Sequence, residues 1–300
     1  MKSLFLLPLL LFTASLVWGE AAKSRKATAQ FLQDISVTIK AQGGYSRSEG
    51  SGVLITRKMG DESVTFVWTC GHVVDNLRQV RSVVNEKGAS VKVVEFDDAQ
   101  IVKELVESGR RVGEIKMDAK VIKYSDFEHG QDLALLMVRA KDYGKSTARF
   151  HLNKEDQIIP IGTRLFHVGS LLGQMGANSM TTGIISQVGR VEDKVEFDQT
   201  TVTAFPGSSG GGVYLEDGTY VGMIARGAGE GFNLMVPIRR MTTWAKDNNI
   251  MWALDPKLKM PTLKEIQEIS VEDSGFKSTS SSKKNKKELE FLIRVYPTAE

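Results

Sequence analysis

One cysteine, Cys70, serves a chain of 300 residues. No intramolecular disulfide can form, and the hydrophobic core alone must hold the fold. Histidine is almost as scarce, with four in all. His151 and His167 have no partner at a metal-binding spacing, so no metal site is expected, and no cofactor is needed. A basic stripe is missing as well. The net charge of +3 comes from the two ends, and residues 20–255 carry 29 groups of each sign. A nucleic-acid partner would need such a stripe, so none is expected. No internal repeat is visible, and beyond residues 4–17 no apolar run is long enough to cross a membrane.

That one run belongs to "MKSLFLLPLLLFTASLVWG", which has a single Lys, an apolar middle and small residues at Gly19, Ala21 and Ala22. This is the layout of a secretory signal peptide over 1–19, with cleavage after Gly19 or within 20–22. A membrane anchor is the competing reading, but a run interrupted by Pro8 falls short of the roughly twenty residues of a span. The mature protein is therefore expected to be exported, to the periplasm or the exterior, with no stable insertion in the membrane.

From residue 50 to 225 the pattern is short β-branched and aromatic runs separated by glycine and turn residues. "GSGVLIT", "SVTFVWTC", "ASVKVVEF", "MDAKVIKY", "DLALLMVRA", "TRLFHVG", "TTGIISQVG", "KVEFDQTTV" and "TYVGMIA" form the series. Such spacing indicates a barrel or sandwich, and the length suits two such units. Two helices are predicted among the strands. The first covers 97–109, with Asp97 as cap, Ile101, Val102, Leu105 and Val106 on one face, and Gly109 as stop. The second covers 237–249, opening at Pro237 with Ile238, Met241 and Trp244 on one side. After Pro256 a tail begins. Within it 278–287 is low in complexity and reads as disordered, and 288–297 reads as an appended strand.

The stretch "FPGSSGGGVY" over 205–214 concentrates backbone freedom ahead of a β-like run. A phosphate-binding loop would continue into Lys-Ser or Lys-Thr at a helix start; here a hairpin pattern follows instead. Two other contexts complement it: His72 in "TCGHVVDN", after a strand, and Asp132 in "GQDLALLMV", before one. Each alone is weak, since a lone His is more often packing and an Asp before a strand more often a turn residue. Together they fit acyl transfer. A Ser hydroxyl needs a His to accept its proton, the His needs an Asp to fix its tautomer, and the developing oxyanion needs preorganised N–H donors. The amides of Gly207 and Ser209 can supply those donors.

The motifs "GSGVLI", "TCGHVVDN", "QDLALLMV", "TTGIISQVGR", "FDQTTVTAFPGSSGGGVY", "GTYVGMIA" and "FNLMVPI", in this order, resemble the trypsin-like serine peptidases of the HtrA/Deg kind over residues 50–240. The resemblance implies an all-β fold of two six-stranded antiparallel β-barrels with the site in the cleft between them. The expected organisation is a first barrel over 30–145 with a helical insertion, a second over 146–255 ending in a helix, and a tail over 256–300. It implies His72 as general base, Asp132 as its orienter, Ser209 as nucleophile, and Gly207 with Ser209 as oxyanion donors. It further places Thr203 at the floor of the primary pocket and the strand Ala225, Arg226 and Gly227 beside the substrate backbone. An uncharged floor suits small or medium apolar residues before the scissile bond, and Arg226 either favours acidic neighbours or points to solvent. The chain departs from the family in the sixty positions that separate His72 from Asp132, more than is usual, in the lack of a following PDZ-like domain, and in Ser208 where Asn or Asp is common.

Competing assignments are less apt. Cys70 reads as a small buried strand residue, His129 as an exposed loop residue, and His151 and His167 as non-ligands. Ser208 lacks the following Gly-Gly in register. The expected function is an exported serine endopeptidase acting on proteins or peptides. The alternative is a catalytically idle homologue serving as a binding module.

Overall fold

Strands with apolar residues facing inward close into a first barrel in the order β1-β2-β3-β8-β7-β6. The computed structural model describes residues 26, 28–84, 88–107, 109–152, 158–227, 229 and 231–273. The predicted signal peptide over 1–19 and the predictions for 278–287 and 288–297 lie outside the described residues. In the barrel, β1 (Ser36–Gly43) pairs with β2 (Ser46–Met59), and β2 with β3 (Glu62–Thr69) in the register Val53↔Trp68. β8 (Leu133–Val138) is the near-continuous apolar run of the sequence, and Leu133 to Leu136 are fully buried against β3. Among the described residues no helix is long and apolar enough to cross a membrane.

The helix predicted over 97–109 is a strand. β6 (Ala99–Glu107) pairs with β7 (Arg110–Ser125) along its length and with β1 at Thr38↔Val102 and Ile39↔Ile101. Closing the barrel satisfies the backbone edges of β1 and β7, a gain that an isolated helix on the surface would forfeit. Gly109, expected to stop a helix, has φ 80° and turns β6 into β7. The remaining length between His72 and Asp132 is a separate hairpin of β4 (Arg78–Val84) and β5 (Ser90–Phe96), which stands outside the barrel.

The second sheet runs β13-β10-β11-β12-β15-β14, and an additional β13–β14 pairing closes the ring of six. Its strands are β10 (Arg164–Leu171), β11 (Gly176–Glu192), β12 (Val195–Thr200), β13 (Gly212–Tyr214), β14 (Thr219–Gly227) and β15 (Asn233–Pro237). The short β9 (Arg149–Phe150) adds to β14 in parallel. Leu165, Ile185, Val202, Val213, Val221 and Met235 fill its interior.

The helix Ile238–Asp247 follows β15 and buries Ile238, Met241 and Trp244, the side expected from their spacing. It brings the chain back onto the first barrel. Trp244 meets Trp68 edge-on at 5.8 Å, and the Trp68 indole donates to the Ala253 carbonyl at 3.0 Å. Residues 271–273 then lie along β7, where Tyr124 N–H donates to Val271 O at 2.7 Å.

Candidate active site

His72 sits in the single helical turn Gly71–Val74 that ends β3. Its backbone N–H donates to Asp132 Oδ1 at 2.9 Å, and its Nδ1 lies 3.0 Å from both carboxylate oxygens. Asp132 is 2% exposed, whereas the imidazole is partly exposed. A carboxylate on Nδ1 makes that nitrogen the donor and leaves Nε2 as the basic atom. The Phe127 ring stands edge-on to the imidazole at 6.4 Å.

The glycine loop docks on the same end of β3. Ser51 N–H donates to Ser209 O at 2.8 Å, and the Gly210 N–H and the Cys70 thiol share the Ile224 carbonyl. Gly210 has φ 84°, and a Cβ there would collide with Ser51 O and the Thr69 hydroxyl. Ser208 is buried and accepts from Phe205 N–H through its hydroxyl at 3.1 Å. Ser209 Oγ donates to the Ala225 carbonyl at 3.4 Å. Among the described residues no hydrogen bond joins it to His72.

The amides of this loop divide into two sets. Ser208 N–H donates to Phe205 O, Gly210 N–H to Ile224 O and Gly211 N–H to Ser208 O. Among the described residues those of Gly207 and Ser209 meet no acceptor. Their aim is set from behind. The Pro206 carbonyl accepts from Leu172 N–H at 2.8 Å, and because a trans peptide points its N–H opposite its C=O, Gly207 N–H is turned the other way. The Gly207 carbonyl accepts from Ser51 Oγ at 2.6 Å. Gly207 has φ 97°, and a Cβ there would strike the Ser170 carbonyl and the Gly173 amide.

Beside Ser209 opens a cavity of about 370 Å³ lined by Thr203, Phe205, Ile224, Arg226, Gly227 and Asn233 among others. Arg226 does not aim freely into it or into solvent. Its guanidinium pairs with Asp193 at 3.0 Å and Glu192 at 3.1 Å and lies over the Phe197 ring, 5.1 Å from the centroid. Ala225 falls in a register shift between β14 and β15. Arg226 and Gly227 keep their β15 partners, but the β13 ladder ends at Met223, so residues 225–227 have that other side of the strand free of ladder partners among the described residues.

The remaining candidates lie elsewhere or do other work. His129 is exposed in the loop before Asp132. His167 is fully buried under the glycine loop, its Nδ1 3.0 Å from Gly212 O. Burial pushes the Cys70 thiol well up, so it stays protonated and inert. Cys70, His72 and Asp132 do bring ligand-type atoms within 4.8 Å of one another. The His–Asp hydrogen bond and the protonated thiol already account for that cluster. Sequence reasoning gave no role to Ser51, Leu172 or Arg240, whose parts depend on contacts far along the chain.

A family model for the trypsin-like peptidase domain matches residues 50–223, more than half of the chain. The chain belongs to the trypsin-like peptidase family. The fold is also similar to the crystal structure of the serine endoprotease from Yersinia pestis, with TM-score 0.52 and 19% identity. That match covers 75% of this chain and 66% of the Yersinia protein, and at such identity it shows the fold alone. No curated protein matches the chain in sequence. In this trypsin-like peptidase chain, His72 and Asp132 lie on the first barrel and Ser209 on the second.

Proposed function

We propose that the protein is an exported serine endopeptidase. The observation that carries the reading is the hydrogen-bonded Asp132–His72 pair at the end of β3 on which the glycine loop docks, where the amides of Ser209 and Gly207 are left without acceptors among the described residues. Turning Ser209 Oγ away from the Ala225 carbonyl presents its proton to His72 Nε2. Oγ then bonds to the substrate carbonyl carbon, and the carbonyl oxygen takes the charge between the amides of Gly207 and Ser209. The protonated His72 gives its proton to the leaving amine as the C–N bond breaks. Water next attacks the acyl ester, His72 takes the water's proton, and Ser209 leaves with it. Asp132 stays ionised and holds the imidazole throughout.

The substrate class follows from the cavity. Thr203, Phe205 and Ile224 offer no charge to a Lys or Arg side chain, and burying an unpaired cation is costly. Apolar residues before the scissile bond suit it. The free side of 225–227 can take an extended peptide by strand addition. Because two carboxylates already neutralise Arg226, acidic residues gain little beside the pocket. The leader-like N-terminus supports export.

Steady-state kinetics of Ser209→Ala, His72→Ala and Asp132→Asn test the assignment. Each should fold and lose about three to six powers of ten in kcat, with double variants little worse than single ones. Full activity in Ser209→Ala with Ser208 intact contradicts it.

A further inference from the structure

The proposed catalytic groups are divided between two barrels, and something must keep the halves in register. Arg240, from the helix after the second barrel, is 7% exposed and touches both. Its Nε donates to Gln131 Oε1 at 3.0 Å and its Nη2 to the Gln131 carbonyl, in the loop of the first barrel. Its Nη1 donates to the Glu196 carbonyl of β12 at 2.9 Å, and its plane lies over Phe197, 4.5 Å from the ring centroid. Two of its three directed bonds thus cross the junction to Gln131, and the third ties the rigid, planar fork to the second barrel.

Gln131 directly precedes Asp132. Asp132 has φ 51°, a left-handed conformation that costs an L-residue energy and persists only where its surroundings over-determine it. The Gln131–Asp132 peptide is held at both ends. Asp132 N–H donates to Asp126 O at 3.1 Å, while Arg240 takes the Gln131 carbonyl. Gln131 N–H in turn donates to Ser125 Oγ at 2.7 Å.

We propose that Arg240 is a positioning residue: it clamps the Gln131–Asp132 peptide of the first barrel to the second, and so holds Asp132 and His72 in line with Ser209. This rests on the peptidase reading above. The clamp also sets the local charge. Asp132 and Cys70 face it from the first barrel, and Arg226 and Glu196 from the second. Arg239 is occupied by Asp198 and Glu196, and Cys70 is neutral. Burial lowers the Arg240 guanidinium to about 10, and Asp132 works against that shift. It therefore stays charged at neutral pH and balances the Asp132 carboxylate.

Charge and geometry separate by substitution. Arg240→Met removes both, and Arg240→Lys keeps the cation but loses the fork. Active sites are first titrated with a fluorophosphonate, then kcat and KM for a peptide are followed across pH on the full chain. Per titrated site, Arg240→Met should lower kcat about tenfold to a hundredfold, as a misplacement of about 1 Å does, with KM nearly unchanged. Its acid limb should also move up by about one pH unit, because a site with one more unbalanced negative charge takes up a proton sooner. Arg240→Lys should lower kcat with the limb in place. Wild-type kcat and limb in Arg240→Met overturn the inference. If that variant does not fold, Arg240→Lys and Gln131→Ala decide, and wild-type kcat in both overturns it. A wild-type chain that takes no label refutes the peptidase reading itself; a labelled wild type with an indifferent Arg240→Met refutes the clamp alone.

Discussion

Burial holds the His167 imidazole down at about 4, from an ordinary 6.5, and the Gly212 carbonyl opposes this only in part. The folded protein therefore declines a proton that the unfolded chain accepts below 6.5, so stability present above that pH is lost as pH falls towards 4. The interval corresponds to about 3 kcal/mol. Urea unfolding at neutral and mildly acidic pH should show that loss in the wild type and less of it in His167→Asn. Equal losses would mean that His167 is not held neutral. Ser51 is a second buried residue with a function at a distance. Its hydroxyl accepts from Ser170 N–H at 2.7 Å and donates to the Gly207 carbonyl, partners 119 and 156 positions away. Ser51→Ala leaves both groups without a partner and should cost about 1–3 kcal/mol, and it should lower kcat more than it raises KM. An unchanged kcat would detach Ser51 from the aim of the Gly207 amide. "GSGVLI" showed Ser51 in the sequence, but nothing local announces partners so remote.

At the scale of elements, glycine-bounded β runs and the order His, Asp, Ser were readable because their signals are local. β6 was not. Ile101, Val102, Leu105 and Val106 recur at helical spacing, but in the barrel the middle of β6 is covered on both faces while its far end projects, with Leu105 exposed. A strand buried on both faces loses the alternation that would mark it. The β4–β5 hairpin has the opposite character. Its ends meet at Arg78↔Phe96, and Asp97 N–H donates to Leu77 O at 3.0 Å, so it can be excised with little cost in loop closure. Replacing 79–95 by a short turn should leave a folded protein with its cleft intact. Replacing 100–118 should prevent folding, because it removes a wall of the barrel. Circular dichroism and thermal melts of the two deletions distinguish these fates; equal tolerance would contradict the assigned roles.

Across the whole molecule, the chain after the second barrel returns to the first. Arg57 of β2 donates to the carbonyls of Trp252, Asp255, Pro256 and Leu258, fixing that return. With Trp68 on Trp244 and Phe66 on Trp252 as well, one core cluster runs across both barrels, and they should unfold together. Calorimetry should give a single transition, and Arg57→Ala should lower its midpoint by the equivalent of about 1–3 kcal/mol. Two separate transitions would show independent barrels. The double-barrel architecture was legible through the family resemblance, whereas the interface was not, since its residues look like ordinary core in sequence. At this interface the two barrels are proposed to assemble a working nucleophile. The most direct test is mass-spectrometric mapping of a fluorophosphonate adduct on the folded protein. One adduct is expected, on Ser209, formed faster than on free serine and abolished in His72→Ala. No adduct, or one on Ser208, would contradict it.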